Sequence, residues 1–328
     1  MIDNYLREIN YLRVSVTDRC NLRCIYCMPA GGIEKVLPRD DILRNEELAR
    51  IIAAASSQAG IRKIRLTGGE PLVRKGLVDL VAAINDIAGI DDIALTTNGV
   101  LLSAMGRDLK EAGLQRVNIS LDTLDPDLFR HLTRNGDLRQ VWRGIETALE
   151  LGFSPVKINT VVMRGYNDHE IGQLAALTVK YPLHVRFIEL MPVGTSNNWA
   201  GDRHVPVSQI KDIIELGLGG LESAHRPAGN GPARYYRLAG APGTIGFISP
   251  VSDHFCKTCN RLRLTAEGMI RPCLYSGWEI DIKGLLRRGA SETELGDVFR
   301  QAVRRKPDRH CINEGWQDDK RIMSQIGG

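Results

Sequence analysis

The chain has 328 residues, of which 43% are apolar and 25% are charged, and its formal net charge is +4. These values are typical of a globular protein with a sizeable core, and the charge is too small to indicate a nucleic-acid or membrane partner. The first residues are polar, without an apolar signal core, and no apolar run approaches the ~20 residues of a membrane span. We therefore expect a cytoplasmic protein that binds neither nucleic acid nor membranes.

Short apolar runs alternate with amphipathic helical stretches along the first two thirds of the chain. The runs predict strands over 11–16, 63–67, 93–97, 117–121, 156–162 and 184–190. Strands about 30 residues apart are typical of βα units with a parallel sheet. A complete eight-unit barrel needs about 250 residues, whereas this pattern stops near Met191. The predicted fold is therefore α/β, a partial (βα)6 TIM-like barrel, with an open doubly wound sheet as the alternative.

The pattern of the chain changes after the sixth predicted strand. Residues 192–200 read as a loop, and residues 226–246 are rich in Gly, Pro and Ala. We predict a barrel domain over residues 1–225 and a C-terminal region over residues 226–328.

Six of the seven cysteines fall into two groups of three, which in a reducing compartment indicates metal binding. Cys20, Cys24 and Cys27 directly follow the first strand, at the end where βα folds place their chemistry. Three thiolates can hold three irons of a four-iron cluster and leave the fourth iron open for a ligand. A three-cysteine zinc site with a distant fourth ligand is the alternative.

Two neighbouring features support the interpretation of the first cysteine group as an iron–sulfur site. Tyr26 stands between the second and third cysteines, and Gly68-Gly69-Glu70-Pro71 follows the second strand. Adjacent glycines let backbone polar groups approach a ligand closely. Together these motifs resemble the radical S-adenosylmethionine superfamily. The resemblance implies a [4Fe–4S] cluster whose open iron binds S-adenosylmethionine, which is cleaved reductively to methionine and a 5′-deoxyadenosyl radical.

The second group consists of Cys256, Cys259 and Cys273. From the cysteines themselves a zinc knuckle stays open, with His254 as a possible fourth ligand. Arg261 and Arg263 lie beside this group and project to one face of a strand. Because Arg binds phosphate oxygens in a bidentate manner, this pair indicates a site for an anionic substrate.

Further cations lie within the predicted strands. Lys63 and Arg65 share one face of the second strand, whose other face is apolar and should pack on helices. The charged face should then point into the barrel, together with Arg13, Lys157 and Arg186. Buried cations are costly unless paired. Glu70 and Glu189 could pair with one or two of them, and the remainder indicate a polyanion such as a nucleoside triphosphate. A structural ion-pair network is the alternative.

The combined motifs resemble the GTP 3′,8-cyclase family, also called molybdenum cofactor biosynthesis protein A, over nearly the whole chain. The resemblance lies in residues 12–20, 63–72, 96–99, 117–122 and 186–192, the second cysteine group with its Arg-Leu-Arg, and the final Gly327-Gly328. It implies conversion of GTP to (8S)-3′,8-cyclo-7,8-dihydroguanosine 5′-triphosphate, the first step of molybdenum cofactor biosynthesis. The radical would remove the ribose 3′ hydrogen, and C3′ would add to guanine C8.

The resemblance also implies residue roles. Two [4Fe–4S] clusters would be held by Cys20, Cys24 and Cys27 and by Cys256, Cys259 and Cys273, the second with its open iron facing guanine. S-adenosylmethionine would contact Tyr26, Gly69, Ser120 and Met191. GTP would contact Arg13, Lys63, Arg65, Thr96 (rather than Thr97), Lys157, Arg186, Arg261, Leu262 and Arg263. Arg13 and a tail ending in Gly327 and Gly328 would serve catalysis, and Cys311 is interpreted as a structural thiol.

The family suggests several partners: cyclic pyranopterin monophosphate synthase as the downstream enzyme, an unidentified electron donor, and a second copy in a homodimer. Two other functions stay open from the sequence. One is a peptide-modifying radical S-adenosylmethionine maturase with an auxiliary cluster. The other is a zinc-stabilised binding protein without catalytic activity.

Overall fold

A computed structural model describes residues 1–33, 36–193, 200–229, 231–310 and 321–326. The strands are β1 Tyr11–Ser15, β2 Lys63–Thr67, β3 Asp92–Thr97, β4 Arg116–Ser120, β5 Val156–Val162, β6 His184–Glu189, β7 Glu222–Ser223, β8 Arg234–Arg237, β9 Thr244–Ile248, β10 Arg261–Leu264, β11 Met269–Arg271 and β12 Ile280–Asp281. The helices are α1 Asn45–Ala59, α2 Leu77–Asn85, α3 Leu102–Glu111, α4 Pro126–Thr133, α5 Leu138–Glu150, α6 Ile171–Lys180, α7 Ala200–Arg203, α8 Val207–Leu218, α9 Ile282–Arg287 and α10 Glu292–Arg304.

All of these strands belong to one sheet. Its order is β12-β11-β10-β1-β2-β3-β4-β5-β6-β9-β8-β7, in which the run from β10 to β9 is parallel. Strands β1 to β6 are the six predicted ones, and each begins and ends within one residue of its predicted bounds. The regular pattern does not stop at Met191, however, because β9 and β10 extend the parallel sheet at both edges.

Alternation along the strands separates an apolar from a polar face. In β2, Ile64 and Leu66 belong to the main apolar core, whereas Arg65 and Thr67 line an internal cavity. The helices pack on the apolar face and on one another, as in the contacts of α1 with α2, α2 with α3 and α3 with α5. A cavity on one face and helices on the other is the arrangement of a barrel and not of a doubly wound sheet.

Helix α1 shows how local sequence defines an element. Glu47 accepts a hydrogen bond from the backbone N–H of Arg44 over 2.8 Å, which satisfies a donor at the start of the helix. Leu48 and Ile52 are fully buried, and Gly60 ends the helix at a φ of 64°. None of the described helices combines the length and the apolar character needed to cross a membrane. The division of the chain at residues 225 and 226 stays a prediction.

Candidate active site

A cavity of about 310 Å³ lies inside the barrel, and all six predicted cysteine ligands line it. The first group follows β1. In the second group, Cys256 and Cys259 precede β10, and Cys273 follows β11. None of the six forms a disulfide, and each is half-buried. The sheet therefore brings residues more than 200 positions apart to one site, because β10 pairs with β1.

The glycines of the Gly-Gly-Glu-Pro motif pack against the backbone that leads into the first cysteine group. Gly69 donates its N–H to Thr17 O over 2.8 Å, and Glu70 donates to Arg19 O over 2.8 Å. A Cβ atom on Gly69 would lie 2.2 Å from Arg19 O, so a larger residue does not fit. The motif thereby fixes the loop that begins at Cys20.

Glu70 stabilises this region through hydrogen bonds. Its carboxylate accepts from Leu72 N (3.0 Å), Thr97 Oγ1 (2.7 Å) and Asn98 N (2.7 Å). Burial raises the pKa of Glu70 to about 7. Asn98 in turn points its Nδ2 at Cys20 Sγ over 3.9 Å.

The predicted pairing of Glu70 and Glu189 with cations of the strands was wrong. Both carboxylates are occupied by loop backbone: Glu70 as described above, and Glu189 by the N–H groups of Val251 (3.0 Å) and Ser252 (2.9 Å). Their hydrogen bonds satisfy loop donors, and neither carboxylate pairs with a cation of the described strands.

The environment of the first cysteine group suits an iron–sulfur cluster. The backbone N–H of Leu22 donates to the sulfur of Cys20 over 3.4 Å, and the backbone of Ser324 lies close to Cys27. Such hydrogen bonds adjust the reduction potential of a cluster. Among the described side chains, no three His, Cys, Asp or Glu converge as ligands of one metal ion would. A cubane cluster needs no such convergence, because each thiolate binds a different iron.

The second cysteine group lies beside cations. Burial raises the pKa of the Cys259 thiol, but Arg261 and Lys306 oppose it and bring the pKa down to about 6. Lys306 Nζ donates to Arg261 O (2.8 Å) and Pro272 O (2.7 Å), so it joins the segments that carry Cys259 and Cys273. A lowered thiol pKa favours the thiolate that binds metal.

His254, considered above as a fourth ligand, contacts other groups. Its Nδ1 lies 3.2 Å from Pro250 O, and its ring packs edge-on against His310 at 4.3 Å between centroids.

Five arginines line the same cavity: Arg13, Arg65, Arg186, Arg261 and Arg263. Arg13 is in register with Arg65 on one neighbouring strand and with Arg263 on the other, so three guanidinium groups form a row. Burial and the neighbouring arginines lower the pKa of Arg13 well below its usual value and that of Arg263 to about 10. The site therefore concentrates positive charge around the cavity.

Several polar atoms in this cavity have no hydrogen-bond partner. Among the described residues, these atoms include the buried Nε of Arg65 and of Arg186 and the Oγ1 of Thr96. Neither Arg65 nor Arg186 forms an ion pair with a residue in the described ranges. Thr97 Oγ1 is occupied by Glu70, which supports the choice of Thr96 over Thr97 as a ligand contact. Buried guanidinium Nε atoms and a hydroxyl without partners indicate an anionic ligand.

Other predicted substrate contacts do not line the cavity. Leu262 is fully buried in the apolar core on the opposite face of β10, and Lys63 is not a lining residue. Lys157 donates to Ala228 O over 2.7 Å, and burial next to Arg186 lowers its pKa to about 6. Gly327, Gly328 and Cys311 lie outside the described residues.

The four predicted S-adenosylmethionine contacts, Tyr26, Gly69, Ser120 and Met191, all line the cavity. Sequence reasoning missed further lining residues, among them Asp122 and Lys306. The former follows β4 two positions after Ser120, so strand alternation could have indicated it. Lys306 follows α10 far along the chain and carried no motif.

Comparison with known families agrees with this site. Residues 14–178 match the model of the radical SAM superfamily, and residues 183–312 match the model called Molybdenum Cofactor Synthesis C. The barrel, the cysteine loop after β1 and these matches define a radical S-adenosylmethionine enzyme. Enzymes of this class carry a [4Fe–4S] cluster and bind S-adenosylmethionine.

Relatives that match the whole length of the chain identify its family within this class of enzymes. The proteins named GTP 3′,8-cyclase from Pelotomaculum thermopropionicum, Desulforamulus reducens and Heliobacterium modesticaldum are 57%, 55% and 56% identical, over 100% of this chain and of each relative. The chain belongs to the GTP 3′,8-cyclase family.

Solved structures with low sequence identity share the fold. Streptococcus suis SuiB bound to S-adenosylmethionine superposes with a TM-score of 0.59 at 14% identity, covering 93% of this chain and 76% of SuiB. The AdoMet-bound anSMEcpe gives 0.54 at 15% identity, covering 90% and 84%. These similarities support the partial barrel and carry no argument about substrate.

Proposed function

We propose that this chain is a GTP 3′,8-cyclase that converts GTP to (8S)-3′,8-cyclo-7,8-dihydroguanosine 5′-triphosphate, the first step of molybdenum cofactor biosynthesis. The observation that carries the proposal is the row formed by Arg13, Arg65 and Arg263, which lies in one cavity with both cysteine groups. A polyanionic nucleotide would bind such a row of guanidinium groups, and the buried Nε atoms of Arg65 and Arg186 are without hydrogen-bond partners among the described residues. The full-length relatives named GTP 3′,8-cyclase support the choice of nucleotide.

The two cysteine groups would each hold one iron–sulfur cluster. Cys20, Cys24 and Cys27 would hold the first [4Fe–4S] cluster, and Cys256, Cys259 and Cys273 the second. When bound, the first cluster and S-adenosylmethionine would supply the 5′-deoxyadenosyl radical that abstracts the ribose 3′ hydrogen. Addition of C3′ to guanine C8 would leave a nucleotide radical, which would take one electron, from the proposed electron donor, and one proton to give the dihydroguanosine product. Tyr26, Gly69, Ser120 and Met191 line the part of the cavity that would receive S-adenosylmethionine.

The arginines of the cavity would bind and orient GTP. Arg65 and Arg186 present buried Nε atoms without partners, and guanidinium groups bind phosphate oxygens in a bidentate manner. Arg261 and Arg263 lie beside the second cysteine group, so they would hold the nucleotide against the second cluster. Lys63 and Lys157 would add charge from the edge of the site, and Leu262 would contribute through its backbone.

The alternative of a peptide-modifying maturase receives less support. SuiB and anSMEcpe share the fold, but a peptide substrate would not need a row of buried guanidiniums. We propose a cytoplasmic location, a homodimer, an electron donor and cyclic pyranopterin monophosphate synthase as the downstream enzyme. Gly327 and Gly328 would form a tail that serves the active site.

Anaerobic turnover tests the proposal. The protein is reconstituted with iron and sulfide, reduced, and given S-adenosylmethionine with GTP, with ATP or with no nucleotide. We expect about eight irons per chain, from two four-iron clusters, and 5′-deoxyadenosine that forms in a GTP-dependent manner. Intact clusters without GTP-dependent 5′-deoxyadenosine would refute the function.

A further inference from the structure

The segment Arg321–Ile326 lies between the two cysteine groups. Met323 and Ser324 line the cavity, and the backbone of Ser324 lies close to Cys27. Ile326 is 1% exposed and packs in a small apolar cluster with Val193 and Tyr275. This segment is therefore part of the wall of the active-site cavity.

Arg321 anchors the start of this segment. Its Nε and Nη2 bind the two carboxylate oxygens of Glu279 over 2.6 and 2.7 Å, and its Nη1 forms an ion pair with Glu267. The side chains of Arg321 and Glu279 are 16% and 17% exposed. A bidentate pair that is mostly shielded from water is stronger and more directional than an exposed pair.

The anchor is connected to the second cysteine group. Glu279 also pairs with Arg271 over 3.3 Å, and the Arg271 side chain is 1% exposed. Arg271 ends β11, two residues before Cys273. One carboxylate thus joins the C-terminal segment to the strand that leads into the second group.

The other end of the segment contacts a proposed substrate residue. Arg263 donates from Nη1 to Ile326 O over 3.2 Å. Without an anchor, a segment near a chain terminus frays, because few contacts compensate for its conformational entropy. The contacts of Ser324 with Cys27 and of Ile326 with Arg263 would then be lost together.

We propose that Arg321 is a positioning residue, whose ion pairs with Glu279 and Glu267 hold residues 321–326 in the cavity wall. Through this segment, Arg321 orients Arg263 towards the anionic substrate and keeps Ser324 beside Cys27. The expected effect of Arg321 on turnover rests on the proposed function. The structural part of the inference, the seating of the segment, does not depend on the identity of the substrate.

The test compares Arg321→Gln with a matched control, Arg300→Gln, in reconstituted holoenzyme. Arg300 on α10 pairs with Asp297 through Nε (2.9 Å) and Nη2 (2.7 Å) and has no described contact with residues 321–326. Hydrogen–deuterium exchange is measured for the peptide that covers 321–328. We expect at least tenfold faster exchange there in Arg321→Gln and no change in Arg300→Gln.

Two further measurements distinguish a positioning role of Arg321 from a general loss of stability. At saturating S-adenosylmethionine and GTP, Arg321→Gln should form 5′-deoxyadenosine about tenfold more slowly with full iron content, and Arg321→Lys should recover part of the rate. The EPR signal of the reduced first cluster should shift, because the backbone of Ser324 would no longer shield Cys27 from solvent.

Unchanged exchange in Arg321→Gln, faster exchange with wild-type turnover, or equal effects of Arg300→Gln would overturn the inference. Failure of the proposed function is distinguishable, because wild-type protein would then form no 5′-deoxyadenosine with GTP. In that case exchange and EPR still decide whether Arg321 seats the segment.

Discussion

Tyr26 donates its hydroxyl proton to Asp122 Oδ2 over 2.7 Å, which joins the first cysteine loop to the residue that follows β4 by two positions. Asp122 Oδ1 accepts from Val161 N over 2.8 Å, so the carboxylate also bridges to β5. Burial raises the pKa of Asp122 to about 6. The pair holds the loop between Cys24 and Cys27 against two strands of the barrel.

Replacement of this hydroxyl should weaken both the fold and cofactor binding. In Tyr26→Phe the ring is kept, but a buried carboxylate loses a donor, so the free energy of unfolding should fall by about 1–3 kcal/mol. The affinity for S-adenosylmethionine should fall several-fold. Denaturant unfolding and isothermal titration measure the two effects. The control is Tyr5→Phe at an exposed position, and an equal loss there would contradict the role of the Tyr26–Asp122 bond.

The buried amine of Lys157 should make GTP binding depend on pH. Burial, with help from Arg186 and Arg116, lowers its pKa to about 6, so the amine is mostly neutral at pH 7.5 before GTP binds. A triphosphate favours the charged amine, so binding raises this pKa and takes up a proton. The affinity should therefore fall as the pH rises above about 6.

Titration calorimetry in two buffers with different ionisation enthalpies measures this uptake. We expect up to about one proton per GTP at pH 7.5 in the wild type and a smaller value in Lys157→Gln. Lys110→Gln, at an exposed lysine that donates to Gly152 O, should behave as the wild type. Equal uptake in wild type and Lys157→Gln would assign the proton to another group.

Arg261→Ala should weaken GTP binding while the first cluster still assembles. The charge of Arg261 also lies next to Cys259, so the substitution should in addition shift the EPR signal of the second cluster. Iron analysis and EPR after reconstitution distinguish the two sites. Loss of the first cluster would show that the division of roles between the two cysteine groups is wrong.

Lys306→Met should destabilise the second cysteine group. The change leaves the carbonyls of Arg261 and Pro272 without their donor, at a cost of about 1–3 kcal/mol for each. It also removes a buried positive charge, so the reduction potential of the second cluster should fall. A redox titration followed by EPR measures the potential, and Lys110→Met is the control. An unchanged potential would exclude an electrostatic role for Lys306.

The sequence predicted most of what local patterns can encode. Strand alternation placed Arg65 and Thr67 inside the barrel, and the cysteine spacing after β1 indicated the first site. Both rest on neighbouring residues and on the period of two along a strand. Sequence reasoning failed at Glu70 and Glu189, because charge and strand position do not show that loop N–H groups will occupy a carboxylate.

The pairing of the C-terminal strand β10 with β1 could also not be predicted from the sequence pattern. Strand β10 pairs with β1 across about 250 residues, and its four residues carry no signal of register. The position of Lys306 follows from this pairing, since it donates to the backbone of β10 itself. Contacts of this kind depend on the assembled fold and not on a motif.

The positions of β9 and β10 in the sheet determine what happens when the chain is truncated. These strands cover the two outer strands of the six-strand sheet, β1 and β6, with parallel partners from the last third of the chain. A fragment that ended at residue 225 would expose two rows of unsatisfied backbone donors and acceptors, the kind of edge that recruits other chains. The C-terminal region therefore also covers both edges of the six-strand sheet, and we expect a chain cut at residue 225 to aggregate more readily than the whole chain.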